Sequence, residues 1–283
     1  MVSSSHPKVL GLNTSARRNG NTELLIRHVL RGAAEAGAET RLMRAGELSL
    51  GACTGCMACV FRDRDCALED DLGQVLEGLR WADAVVFGSP TYVLGACAVA
   101  RLLQERLLRL GMTRELVGRP AVVVATAGVP SWTPYVLPQL SLLPLFAGMP
   151  VVDQFIGFGQ GPGEVLEDAA ACARALVAGA ALARGERGFI GTPGACPVCH
   201  FDLVVPAGTG RGHCPFCELD GAWVEENGGG RLEPAAGSDA RWSEASMHHH
   251  FHELVLPSGP RFRGRLKELK GRVQAFLDGG VEG

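Results

Sequence analysis

K-V-L-G-L-N-T-S-A-R-R-N-G-N-T, residues 8–22, decides the fold class. Lys8 to Asn13 is a short apolar run of the kind that forms a buried parallel strand. A polar loop follows, and then Glu23 to Ala36 places its apolar residues at helical spacing. Strand, polar loop and helix is the arrangement in which the amides of a helix N-terminus face an anion. Ser15, Asn21 and Thr22 add hydroxyl and amide donors, while Arg17, with Arg18 beside it, adds charge. The loop has neither the G-K-[ST] of a Walker motif nor the G-x-G-x-x-G of dinucleotide folds. A capped helix start with two solvated arginines is the plainer alternative, but the density of donors favours a phosphate.

The alternation continues downstream. Strands are expected at Glu39–Met43, Ala82–Gly88, Pro120–Thr126 and Val151–Phe158, and helices at Leu72–Leu79, after Gly95, at Leu137–Phe146 and at Glu164–Arg184. Glu69, Asp70 and Asp71 stand where acids suit a helix dipole, a capping role with no catalysis. Pro90 is expected to end the third strand and turn Tyr92 toward its carboxyl end. Five strands alternating with helices imply an α/β doubly wound parallel sheet, with the loops after strands one, three and four meeting at the switch-point crevice.

With 283 residues, 47% hydrophobic and 20% charged, the chain can bury a full α/β core plus a smaller unit. A net charge of −3 gives no general pull toward nucleic acid or an anionic membrane. No apolar run approaches a membrane span, and the polar start Met1 to Pro7 is no signal peptide. Eight of the ten cysteines fall into two metal-like sets, which suits a reducing cytoplasm better than a secreted disulfide scaffold. Cys97 and Cys172 stand apart and read as small buried side chains.

The first set lies in G-A-C-T-G-C-M-A-C-V-F-R-D-R-D-C, Gly51 to Cys66, and spaces Cys53, Cys56, Cys59 and Cys66 as C-x2-C-x2-C-x6-C. Three thiolates at every third position wrap one centre, with Gly55 relaxing the turn, and the fourth closes it, as in a 4Fe–4S cubane. A loop of metal-free thiols is the bland alternative. The second set, C-P-V-C and C-P-F-C, pairs Cys196 and Cys199 with Cys214 and Cys217. Two such knuckles make a tetrahedral four-sulfur site for zinc, or for a rubredoxin-type iron. His200 and Glu218 stand where rubredoxin knuckles favour glycine, which leans toward zinc. Phe201–Val205 and Ala222–Glu225 read as short ribbon strands that need the metal to fold.

T-S-A-R-R-N-G-N-T, C-T-G-C-M-A-C, D-C-A-L-E-D-D and G-S-P-T-Y, in that order, resemble the NADPH-dependent FMN reductase superfamily, and within it the iron–sulfur flavoproteins. The resemblance runs from about Lys8 to Arg184 and implies a flavodoxin-like fold that binds FMN, with a 4Fe–4S cluster on the compact cysteine motif. It implies that Ser15, Arg17, Asn21 and Thr22 hold the phosphate, that Pro90, Thr91 and Tyr92 line the flavin ring, and that Ala127 and Gly128 lie on its other side. Homo-oligomers, a nicotinamide or ferredoxin as donor and a small acceptor are also implied. The helix after G-S-P-T-Y departs from the family pattern at Ala100-Arg101 and Glu105-Arg106.

Three domains follow: 1–187 for FMN, 188–235 for the four-cysteine ribbon and 236–283 for a His-rich segment and C-terminal helix. The ribbon is no nucleic-acid reader, because Asp202, Glu218, Asp220, Glu225, Glu226 and Glu233 oppose only Arg211 and Arg231 between Gly191 and Ala235. Asn227–Ser238 reads as a flexible glycine-rich piece. His248, His249, His250 and His252 read as a strand edge or loop with alternate rings in solvent. From Arg261 to Asp278, Phe262, Leu266, Leu269, Val273 and Phe276 recur at helical spacing, so this amphipathic helix is expected to pack on the domain with a basic face in solvent. A sharper expectation is that this face docks an acidic ferredoxin. No Ser/His/Asp set or carboxylate pair suggests hydrolysis. The expected function is FMN-dependent electron transfer, the alternatives being a cluster-free quinone reductase and a non-enzymatic redox or metal sensor.

Overall fold

The computed structural model describes residues 6–226 and 229–279, so the start through Ser5 and Asn227 of the glycine-rich piece lie outside the described residues. Five parallel strands form the sheet: β1 (Lys8–Asn13), β2 (Glu39–Arg44), β3 (Ala84–Tyr92), then, beyond the two-residue β4 (Gly95–Ala96), β5 (Ala121–Ala127) and β6 (Val151–Phe158). Their order is β2–β1–β3–β5–β6, with β4 antiparallel on the end of β3. That is the flavodoxin-like order, reversing between β1 and β3. All seven residues of β5, A-V-V-V-A-T-A, are buried, as expected of a strand covered on both faces.

Helices α1 (Asn21–Glu35), the short α2 (Ala58–Phe61), α3 (Leu72–Trp81), α4 (Ala98–Arg106), α5 (Arg109–Thr113), α6 (Val136–Ala147) and α7 (Ala169–Ala183) link the strands. α1 and α7 share one face of the sheet, where Leu25, Ile26 and Val29 pack with Ala175 and Ala178. The two helices touch backbone to backbone: a Cβ on Gly179 would collide with the Val29 carbonyl, and one on Gly32 with that of Leu176. The alanine-rich sequence of α7 serves this close approach. The other face buries Leu76, Leu79, Leu103 and Leu140.

Two boundaries differ from expectation. Pro90 does not end its strand, because β3 continues to Tyr92 with Pro90 paired to Thr126 of β5. Gly88 directs its carbonyl to Thr14 on the β1 side, so Pro90, two residues on, turns its missing N–H to the side where β1 has already ended. The helix expected from Glu164 begins at Ala169, since Asp168 caps it by accepting from the Ala171 amide at 3.0 Å.

The C-terminal part contains an antiparallel ribbon of β7 (Val205–Pro206), β8 (Arg211–Cys214), β9 (Leu219–Glu226) and β10 (Gly229–Pro234). Only the end of the stretch Phe201–Val205 is strand, and the piece expected to be flexible supplies β10, whose Leu232 is buried. The histidines lie on neither strand nor loop. They continue α8 (Glu244–His248) as a π-helical stretch, His249–Val255, that leads into α9 (Leu256–Asp278). Met247 and Phe251 bury against Val60 and fix this helix to the cysteine loop, leaving the four imidazoles exposed on its outer side. α9 packs on the domain only at its start, where Leu256 joins the Val60 cluster and Gly259 is buried against Phe61; farther along, Phe262, Val273 and Phe276 are 54%, 58% and 72% exposed. Its amphipathic pattern was legible, but among the described residues the sheet does not cover that apolar stripe.

Candidate functional site

Ser15, Arg17, Asn21, Thr22, Pro90, Thr91, Tyr92, Ala127 and Gly128 line a single cavity at the carboxyl ends of β1, β3 and β5. At its floor, α1 begins with Gly20 at the N-cap and no side chain capping it, so the first-turn amides are open to an anion. Ser15 is buried, and its hydroxyl accepts from the Arg17 amide at 3.2 Å, which leaves its own proton to donate. Neighbouring cations are neutralised: Arg18 forms a two-pronged pair with Glu47 at 2.7 and 2.8 Å, and Arg44 grips Glu23 in the same way at 2.9 and 2.8 Å. Arg44 beside it, with Arg27, holds the fully buried Glu23 carboxyl down at about 2. Arg17 has no ion pair among the described residues. It is the cation left for an incoming anion.

Asn21 and Thr22 serve differently from the donor role their type suggested. The Asn21 amide donates to the carbonyls of Gly159 and Gly161 at 2.9 and 3.0 Å and accepts from the amide of Gly163 at 2.8 Å. Its side chain therefore straps the loop after β6 to the start of α1. The Thr22 hydroxyl bonds that of Thr126 at 2.7 Å in the interior. That strapped loop brings Gly159, Gln160 and Pro162 to the cavity, three residues the sequence reading passed over. The signal was there in G-F-G-Q-G-P-G, residues 157–163, which runs out of the end of β6.

Thr91 supplies a buried hydroxyl with no hydrogen-bond partner, an orphan that a ligand in the cavity would satisfy. Beyond it, Val93 and Leu94 hold φ of 48° and 70°, the left-handed region that a β-branched residue rarely visits. Tyr92, at the end of β3, and Trp132 and Tyr135, in the loop after β5, are about half exposed. An uncapped helix N-terminus, an unpaired arginine and an orphan hydroxyl together fit a phosphate-bearing, ring-bearing cofactor such as FMN.

The cysteine loop lies beside α4 and α5. Cys53 and Cys56 are exposed, and Cys59 and Cys66 are half-buried. Gly55 and Met57 take φ of 68° and 56°, so the turn between the first cysteines does need left-handed backbone. The Ala58 amide, then the Thr54 hydroxyl, hold the Cys56 thiol below its usual pKa, whereas burial and the nearby Cys66 raise that of Cys59. These four sulfurs do not converge as one ion requires; among the described residues only the ribbon set does.

What clamps the loop is Arg106, a residue noticed in the sequence only as a departure from a pattern. Its buried guanidinium donates to the Gly51 carbonyl at 2.6 Å and to both Asp70 oxygens at 2.6 and 3.0 Å. Asp70 in turn accepts from the amides of Gly51 and Leu72. Arg106 foremost, with those amides, holds the Asp70 carboxyl at about 2. Asp70 thus does more than open α3: it joins both ends of the loop.

In the ribbon, the sulfurs of Cys196, Cys199, Cys214 and Cys217 are buried and all lie within 4.8 Å of one another. Hydrogen bonding with Cys196 holds the Cys214 thiol low and pushes that of Cys199 up, as acidic groups crowded at one centre must. His200 and Glu218 adopt φ of 58° and 54°, the left-handed conformation that glycine would fill. The donor set fits one tetrahedral ion. Cys97 is buried under the phosphate loop, its thiol against the Thr14 oxygens, while Cys172 is half-buried.

The model of the family described as NADPH-dependent FMN reductase matches residues 7–163, more than half of the chain. An iron–sulfur flavoprotein of Methanocaldococcus jannaschii is 36% identical over 122 residues, 42% of this chain and 63% of that protein, less than two thirds of the relative's length. An iron–sulfur flavoprotein of Archaeoglobus fulgidus is 28% identical over 161 residues, 56% of this chain and 71% of its own. A flavone synthase of Aspergillus candidus is 28% identical over 238 residues, 71% of this chain and 74% of that protein. A solved structure described as flavone reductase has the same fold over 98% of both chains, with a TM-score of 0.78 at 21% identity. The chain belongs to the NADPH-dependent FMN reductase family.

Proposed function

We propose that this member of the NADPH-dependent FMN reductase family holds FMN in the cavity at the switch point and passes electrons from a nicotinamide to a small acceptor. The observation that carries the reading is the uncapped start of α1 with Arg17 as its unpaired cation. Bound FMN would accept a hydride from NAD(P)H and pass electrons on singly or in pairs. Arg17, the Ser15 hydroxyl and the first-turn amides of Asn21 and Thr22 hold its phosphate. Pro90, Thr91 and Tyr92 flank the ring, the Thr91 hydroxyl pairing with it, and Ala127 and Gly128 close the other side. The exposed rings of Tyr92, Trp132 and Tyr135 suit a flat aromatic acceptor. The names of two relatives, flavone synthase and flavone reductase, favour the same acceptor class.

Cys53, Cys56, Cys59 and Cys66 carry a 4Fe–4S cluster in this reading, supported by their spacing and by relatives named iron–sulfur flavoproteins. Ferredoxin is then a second donor, met by the basic face of α9. Cys196, Cys199, Cys214 and Cys217 hold structural zinc. The exposed apolar stripe of α9 favours a homo-oligomer, and the thiol-rich composition favours the cytoplasm.

Titration of the flavin-free protein with FMN tests the reading, followed by NAD(P)H oxidation with a flavone and a quinone as acceptors. One FMN per chain with acceptor-dependent turnover is expected. Flavin bound without turnover would make the protein a sensor or carrier, and failure to bind FMN would overturn the assignment of the cavity.

A further inference from the structure

A groove of about 490 Å³ opens at the end of the sheet opposite the flavin cavity. The first cysteine knuckle, the turn ahead of β6 and the segment entering α8 meet there with the end of α5 and the stretch after α7. Arg114 and Arg187 line it, and neither has an ion pair among the described residues. The contacts of the Arg114 guanidinium are weak, to the carbonyls of Phe146 and Trp242 at 3.5 and 3.4 Å, and its Nε has no partner. Two more lining residues carry a buried nitrogen without a partner, Trp242 at Nε1 and His200 at Nδ1. Buried polar nitrogens left unpaired are rare, and two donors, Arg114 Nε and Trp242 Nε1, with an imidazole nitrogen beside them around one groove mark a place built for a polar ligand. With Glu244 on the wall, two guanidiniums leave one net positive charge, matched to a monoanion. The remaining wall is apolar, including Met149 and Val198, and Phe189 stacks on the His200 ring at 3.6 Å.

We propose that this groove binds an organic monocarboxylate, its oxygens taken by Arg114, Arg187 and the Trp242 indole N–H, its body lying on the apolar wall. A tetrahedral phosphate would match the charge less well and would leave that wall wet. The ligand would bridge the ribbon to the sheet, because Arg114 and His200 come from different units of the fold. The site needs no flavin and does not rest on the function proposed above.

Calorimetric titration of the full-length, metal-replete protein with benzoate, acetate and inorganic phosphate tests the proposal. Benzoate is expected to bind at millimolar concentration or tighter and to raise the unfolding temperature, ahead of both other anions. Arg187→Met, at an exposed position that the fold tolerates, is expected to weaken benzoate at least tenfold, as loss of a charged hydrogen bond should. Trp242→Phe keeps the ring and removes only the N–H, and should weaken it several-fold, with flavin content unchanged in both variants. Absence of benzoate binding, binding indifferent to both substitutions, or a preference for phosphate would each overturn the assignment.

Discussion

Replacing Arg106 by methionine should loosen the cysteine loop at both of its ends. The guanidinium is fully buried, and it joins the Gly51 carbonyl to the Asp70 carboxylate. Asp70 titrates at about 2 instead of its usual 3.8, a difference worth roughly 2 kcal/mol in favour of the ionised pair. Removing the cation leaves an uncompensated, nearly buried carboxylate, so Arg106→Met should cost about 3–5 kcal/mol. Asp70→Asn keeps the hydrogen-bonding shape and should cost less, and the two changes together should couple by about 2 kcal/mol in a double-mutant cycle. Guanidinium denaturation gives the energies, and amide exchange over residues 51–66 reports the loop directly. If Arg106→Met costs under about 1 kcal/mol and leaves exchange across the loop unchanged, the clamp is not what holds it.

The same carboxylates set an acid limit. Glu23 and Asp70 both have folded values near 2, below their usual 4.5 and 3.8, so the stability they contribute is complete above about pH 4.5 and is lost as pH falls toward 2, which acid unfolding curves of Glu23→Gln and Asp70→Asn would trace. Arg17→Ala should weaken FMN about 10- to 100-fold by fluorescence titration, whereas Arg18→Ala, already paired with Glu47 at the surface, should leave flavin affinity nearly unchanged. Asn21→Ala should release the loop after β6 and cost about 2–3 kcal/mol in stability, with flavin affinity falling alongside; unchanged affinity would mean the strap is dispensable. Cys214→Ser should abolish stoichiometric metal at the ribbon by elemental analysis and lower the unfolding temperature, while the flavin spectrum stays intact.

The sequence by itself determined the parts whose physics is local. Apolar runs such as Val151–Phe158 became strands with the expected ends, because a strand buried on both faces needs little beyond unbroken hydrophobicity. Paired C-x2-C knuckles announced their tetrahedral site, because chelate spacing is a property of the chain. The nine residues named for the flavin reached one cavity because strand order in a doubly wound sheet gathers loops at the switch point. Tertiary structure decided which of those side chains remain available. Arg17 and Arg18 are neighbours of the same type, and only the position of Glu47, brought in from beyond β2, separates the open cation from the spent one. Asn21 has the composition of a phosphate donor, yet the loop after β6 claims its amide. Arg106 lies 36 residues from Asp70, and nothing local to either announces their pairing. The histidines and α9 likewise took helical form through anchorage of Met247 and Phe251 on Val60, while the stripe beyond stays exposed. Periodicity fixes which face of an element is apolar; what covers that face depends on contacts distant in the chain.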